Sequence, residues 1–116
     1  MPESMPGGMP KVTAVTRMVA HNGRFPELLE AVDRMVAAAR AEEGTELYVV
    51  NRATRESNTL FLFEMFREMP ALKAHITASD PVNELLAPLV ASGEVLLGEP
   101  GAGHRDRALT GRRWDR

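Results

Sequence analysis

The stretch that most limits the fold is residues 59–67, TLFLFEMFR. Its β-branched and aromatic content reads as a strand, bounded upstream by the polar turn TRESN at 54–58. Successive side chains of a strand point to opposite faces. Leu60, Phe61, Leu62 and Phe63 are all large and apolar, so both faces of this strand ask for burial. Helices on one side satisfy one face only. The other must line a pocket, meet a partner, or both, unless an edge or loop covers it; a second copy stacked sheet to sheet is the natural solution.

The neighbouring segments supply the rest of a small α+β domain. Residues 12–20, VTAVTRMVA, read as a first strand, closed by the turn signal His21-Asn22-Gly23. Phe25, Leu28, Leu29, Val32, Met35, Val36 and Ala39 keep helical spacing over nearly four turns. Pro26 suits the first turn of that helix, and Gly44 reads as its stop, giving a helix over 25–43. Residues 45–53 read as a second strand, forming a hairpin with the third. A short helix over 70–78 and another over 81–91 follow, with Pro88 expected to kink or end the latter. A last short strand is expected at 94–98. The order predicts an antiparallel four-stranded sheet with helices on one face.

Composition limits function mainly by exclusion. The 116 residues carry 14 Lys and Arg against 16 Asp and Glu, a net charge of −2 that argues against bulk electrostatic binding of nucleic acid. With no cysteine there is no disulfide framework, thiolate metal site or thiol nucleophile. His21, His75 and His104 show no metal-ligand spacing, so no metal is expected. No segment reads as a secretory signal or membrane span, which points by default to the cytoplasm. Charge is uneven. Residues 11–100 form an acidic domain of net −4, whereas 101–116 carry five Arg against two Asp. Residues 1–10 and this basic tail both read as disordered, although Trp114 is unusual in such a tail.

Two residues break the apolar pattern. Glu64 shares a strand face with Leu62 and Phe66, and a carboxyl turned toward an apolar interior needs a partner or a proton. His75 lies on or beside the buried side of the short helix, three positions after Leu72. Imidazole exchanges a proton near neutral pH, so it suits a general base or a hydrogen-bond partner for substrate. Each also has a structural reading: Glu64 as a hub tying sheet to helix, His75 as a satisfied core histidine. Asn51 and Tyr48 of the second strand are secondary candidates for lining a pocket, Asn51 being preferred over Arg52.

The string FLFEMFREMPALKAHITAS resembles the antibiotic biosynthesis monooxygenase family, which includes quinol monooxygenases. It has the family's apolar strand, then Glu64, an aromatic at Phe66, and Ala74-His75 at the family's spacing of eleven from the glutamate. Upstream, ARAEEGTELYVV is similar to the family's Glu-Pro-Gly stretch, with Glu43 in place of proline. The resemblance spans about residues 11–100. It implies a ferredoxin-like fold that pairs into a dimeric α/β barrel. It also implies oxygenation of a quinol-like or polyphenolic aromatic by molecular oxygen without a cofactor. By position, His75 would be the base or phenol-binding residue, Glu64 its orienting partner and Phe66 an aromatic wall. Phe66 lacks the indole N–H of the tryptophan frequent there. Thr16 falls where the haem-degrading branch has an asparagine, which argues against haem chemistry and leaves Thr16 as a substrate contact. Two other readings of the same barrel remain: an isomerase or lyase acting on a small carbonyl metabolite, and a non-catalytic ligand-binding stress protein.

Overall fold

The structure is a computed structural model that describes residues 9–101. The disorder expected for 1–10 and 101–116, with the reading of Trp114, lies outside the described residues except at positions 9, 10 and 101. The elements run β1 (Val12–Ala20), α1 (Phe25–Arg40), β2 (Thr45–Arg52), β3 (Thr59–Phe66), α2 (Met69–Ala78), α3 (Asp80–Leu86) and β4 (Val90–Gly98). The four strands form one antiparallel sheet in the order β2-β3-β1-β4. This is the ferredoxin-like α+β arrangement.

α1 lies across the sheet because its apolar stripe repeats every three to four residues. Leu28, Val32, Met35 and Ala39 turn inward against Tyr48, Leu60 and Leu62. Full burial of a leucine or valine contributes about 1.5–3 kcal/mol relative to exposure, so this stripe anchors the layer. A smaller cluster of Val12, Ala14, Phe66 and Leu72 fastens α2 to the other end of the sheet.

Three boundaries differ from the sequence expectation by more than one residue. α1 ends at Arg40, not at residue 43, and Ala41–Gly44 make the turn into β2. Gly44 does not serve as a left-handed helix cap. A Cβ there would sit 2.5 Å from the Cβ of Ala71, so glycine is required by the close approach of α2. α3 ends at Leu86, before Pro88, as the proline suggested. β4 begins at Val90, four residues earlier than expected, and passes a register shift opposite Val19 and Ala20.

The face of the sheet away from the helices is uncovered among the described residues, and an apolar row crosses its middle. Val49, Phe63, Val15 and Leu96 stand directly opposite one another across all four strands. Each is exposed, Phe63 at 45% and Leu96 at 68%. Phe61, Leu47 and Met65 extend this row on the same face.

Candidate active site

Between sheet and helices lies a cavity of about 350 Å³ with almost entirely apolar walls. Its polar lining comes from Thr16 on β1, Tyr48 on β2, Glu64 on β3, His75 on α2, Ser79 at the end of α2 and Asn83 on α3. The exposed side chains of Ile76, Val95 and Leu97 rim its opening. This size and character suit a small aromatic molecule held by a few polar groups.

Glu64 points inward because its even-numbered neighbours Leu62 and Phe66 face the helices. Its side chain is only 7% exposed. The Thr16 hydroxyl donates to Oε2 at 3.0 Å, and Oε1 stands 3.6 Å from His75 Nε2. Burial pushes the carboxyl above its ordinary value. The Thr16 hydrogen bond and His75 oppose the shift, and Glu42 adds to it. Glu64 thus holds a proton more firmly than an exposed glutamate does.

His75 is held from several sides. Nδ1 lies 2.8 Å from Glu42 Oε1. The same carboxylate oxygen accepts a hydrogen bond from the Thr45 hydroxyl at 2.7 Å. A carboxylate only accepts, so the geometry puts the imidazole proton on Nδ1 and leaves Nε2 free as an acceptor facing Glu64. Ser79 Oγ lies 3.5 Å from Nε2. The rings of Tyr48 and Phe66 pack at 5.4 and 5.2 Å from the imidazole centroid.

Tyr48 is unusual for a buried tyrosine. It is 7% exposed, and its hydroxyl has no hydrogen-bond partner among the described residues. Burial, then the carboxylates of Glu64 and Glu42, push the phenol above its ordinary range, so it stays protonated as a donor. An orphaned buried hydroxyl that lines a cavity is a site waiting for an acceptor.

Of the residues singled out from sequence, His75, Glu64, Thr16 and Tyr48 come together around the cavity. Phe66 does not line it. Fully buried in the cluster with Val12 and Leu72, it supports the imidazole from behind instead of forming a wall for a ligand. Asn51 lies elsewhere. It pairs with Phe61 on the open face, and its amide donates to the carbonyls of Val49 and Phe61. Residues three apart in a strand face opposite ways, and Tyr48 holds the inward position. Glu42 was not singled out, because its partner His75 is 33 positions away. The signal available was its place in the Glu-Glu-Gly stretch beside the resemblance motif.

Comparison with known proteins agrees with this site's setting. The family model for antibiotic biosynthesis monooxygenase matches residues 11–80, more than half of the chain. No functionally curated protein matches the chain by sequence. Among solved structures, a Caulobacter crescentus protein described as a candidate antibiotic biosynthesis monooxygenase superposes with a TM-score of 0.76 at 18% identity. That match covers 80% of this chain and 92% of the other. A Pseudomonas aeruginosa protein superposes with a TM-score of 0.72 at 20% identity, covering 80% and 96% of the two chains. SnoaB from Streptomyces nogalater, a cofactor-independent oxygenase, superposes with a TM-score of 0.71 at 18% identity, covering 79% and 94%. At these identities the likeness carries the fold alone. The family match carries the assignment: this chain belongs to the antibiotic biosynthesis monooxygenase family.

Proposed function

We propose that the protein is a cofactor-independent monooxygenase that oxidises a quinol-like or polyphenolic aromatic with molecular oxygen. The observation that supports this reading most is the imidazole of His75. Glu42 holds its Nδ1, and its Nε2 faces an apolar cavity beside a buried glutamate. A phenol entering that cavity gives its proton to Nε2. The electron pair left on its oxygen spreads into the ring, and the electron-rich anion passes an electron to oxygen; the phenoxyl radical and superoxide so formed join at a ring carbon, and the protonated hydroperoxide loses water to leave a carbonyl there. The substrate thus supplies the reducing electrons. Tyr48 Oη donates a hydrogen bond to a substrate oxygen, and Glu64 in its protonated form adds a second. The apolar walls keep water from competing.

The functional unit of this reading is a homodimer, in which the row Val49–Phe63–Val15–Leu96 meets its copy across a two-fold axis. The substrate site belongs to each subunit. Oxygen consumption with a panel of hydroquinones and polycyclic phenols tests the activity. Uptake by wild type that is lost in His75→Ala is the expected result. No uptake with any of them would refute it, and substrate turnover in the absence of oxygen would move the site to carbonyl isomerisation.

A further inference from the structure

A second concavity of about 410 Å³ lies on the outer side of α2, where that helix approaches the α1–β2 turn. Unlike the inner cavity it is polar, with Glu42, Glu43, Thr45, Arg67 and Glu68 in its walls. Among the described residues, His75 is the one side chain that lines both spaces. Its ring therefore stands between an apolar cavity and a polar cleft, each reaching solvent on its own side. The two ring nitrogens divide accordingly. Nε2 stands beside Glu64 in the inner cavity, and Nδ1 is joined to Glu42, whose side chain is 22% exposed in the outer cleft.

The geometry points to a proton relay through this ring, with Glu42 as the terminal carrier that connects His75 to solvent. This inference deepens the oxygenase reading and rests on it for the identity of the proton donor. A phenol O–H in the cavity transfers its proton to Nε2. The Nδ1 proton passes to Glu42 Oε1, and the Glu42 carboxyl releases it to water in the outer cleft. One proton leaves the phenol oxygen and one enters solvent, with no electron moved. Passage in the reverse direction, when the bound anion is reprotonated, restores the original tautomer. The relay carries the proton into the polar cleft instead of out through the apolar mouth of the cavity.

The groups facing the imidazole are Glu42 from the α1–β2 turn, Tyr48 from β2, Glu64 from β3 and Ser79 from the end of α2, with Thr16 of β1 behind Glu64. Of these, only Glu42 also lines the outer cleft. Thr45 is the positioning residue of the path, since its hydroxyl holds the oxygen that receives the proton.

Two measurements on the full chain test the relay, and neither consumes oxygen. The first is nitrogen NMR of the histidine rings. His75 should show the Nδ1–H tautomer in wild type and in Glu42→Gln, whose amide oxygen still accepts, and should lose it in Glu42→Ala. An Nε2–H tautomer in wild type would overturn the relay. The second is stopped-flow mixing with 4-nitrophenol in weak buffer, following the phenolate by its colour and the released proton by an indicator dye. In wild type the two signals should coincide. In Glu42→Gln, proton release should slow at least about tenfold, with a hundredfold within the usual range for a lost acid–base group. Glu43→Gln, in the same cleft but off the path, should behave as wild type. Equal release rates in wild type and Glu42→Gln, or a bound probe that never ionises, would overturn the relay while leaving the oxygenase reading intact. Failure of oxygen uptake with the relay signals preserved would do the reverse.

Discussion

The two faces of the sheet handle the same physical problem in opposite ways. The inner face is covered by three helices yet holds a glutamate, a threonine and a tyrosine hydroxyl without a partner among the described residues, all among its leucines. The outer face has no cover among the described residues, yet its central row is wholly apolar. For stability alone, one would expect polar groups outside and apolar groups inside. Polarity sits where it costs most and apolar surface where water meets it, so each face is incomplete in the isolated chain. The inner face lacks an acceptor for Tyr48, and the outer face lacks a surface to cover Phe63. A ligand would complete the first and a second copy the second.

Adjacent residues of β3 give the sharpest way to break that contrast. Leu62 is 1% exposed and Phe63 45%. Leu62→Asp should put an unpaired charge in the core and cost more than about 4 kcal/mol, enough to unfold most of the protein. Phe63→Asp should fold with an unchanged circular dichroism spectrum but run as a monomer in sedimentation. A folded Leu62→Asp, or wild type already monomeric at high concentration, would remove the distinction between the faces.

A smaller effect is expected at the turn that carries Glu42. Gly44→Ala forces its new methyl against Ala71, an overpacking that should cost about 1–3 kcal/mol. In a thermal melt this is a drop of several degrees, since about 1 kcal/mol shifts the midpoint of a domain this size by roughly 4–8 °C. Because α2 carries His75, activity should fall further than stability does. An unchanged melt would mean that α2 yields freely at this contact.

The pH dependence of stability probes the inner face more finely. In the unfolded chain Glu64 should titrate near the ordinary glutamate value of about 4.3. In the fold, burial raises its value. The stability this carboxyl contributes is complete below about pH 4.3 and is lost as pH rises through the raised folded value, because the unfolded state gives up its proton first. Wild type should therefore lose stability relative to Glu64→Gln across that window. A constant difference between the two across pH would show that Glu64 is not desolvated. The smallest expected effect is that of Thr16→Val, which removes the hydroxyl donating to Glu64 Oε2. It should cost about 1 kcal/mol and move the carboxyl's titration further upward. A downward movement would contradict the assigned hydrogen bond.

Much of the fold was legible because its signals are periodic. The α1 stripe, the alternation of β1 and the apolar run of β3 each repeat often enough to outweigh local noise. β4 was read too short because Val90-Ala91-Ser92-Gly93 has little alternation, and it pairs through a register shift that sequence does not mark. In the site, Glu64 and His75 stood out as polar residues in apolar settings, a purely local signal. Glu42 gave no such signal: it is one of two adjacent glutamates before a glycine, and only the tertiary fold brings it to His75. Asn51 was misplaced for a simpler reason. Parity separates it from Tyr48, but cannot say which of the two faces the helices until the sheet's covered side is known.

The most direct measurement is oxygen uptake by wild type and His75→Ala with hydroquinones and polycyclic phenols, followed alongside the appearance of the oxidised aromatic. Wild type should consume oxygen with at least one of these substrates without added cofactor. His75→Ala, folded and still binding the aromatic, should be slower by about a hundredfold to ten-thousandfold. Uptake by His75→Ala at the wild-type rate would contradict a proton-accepting role for the imidazole between the two cavities.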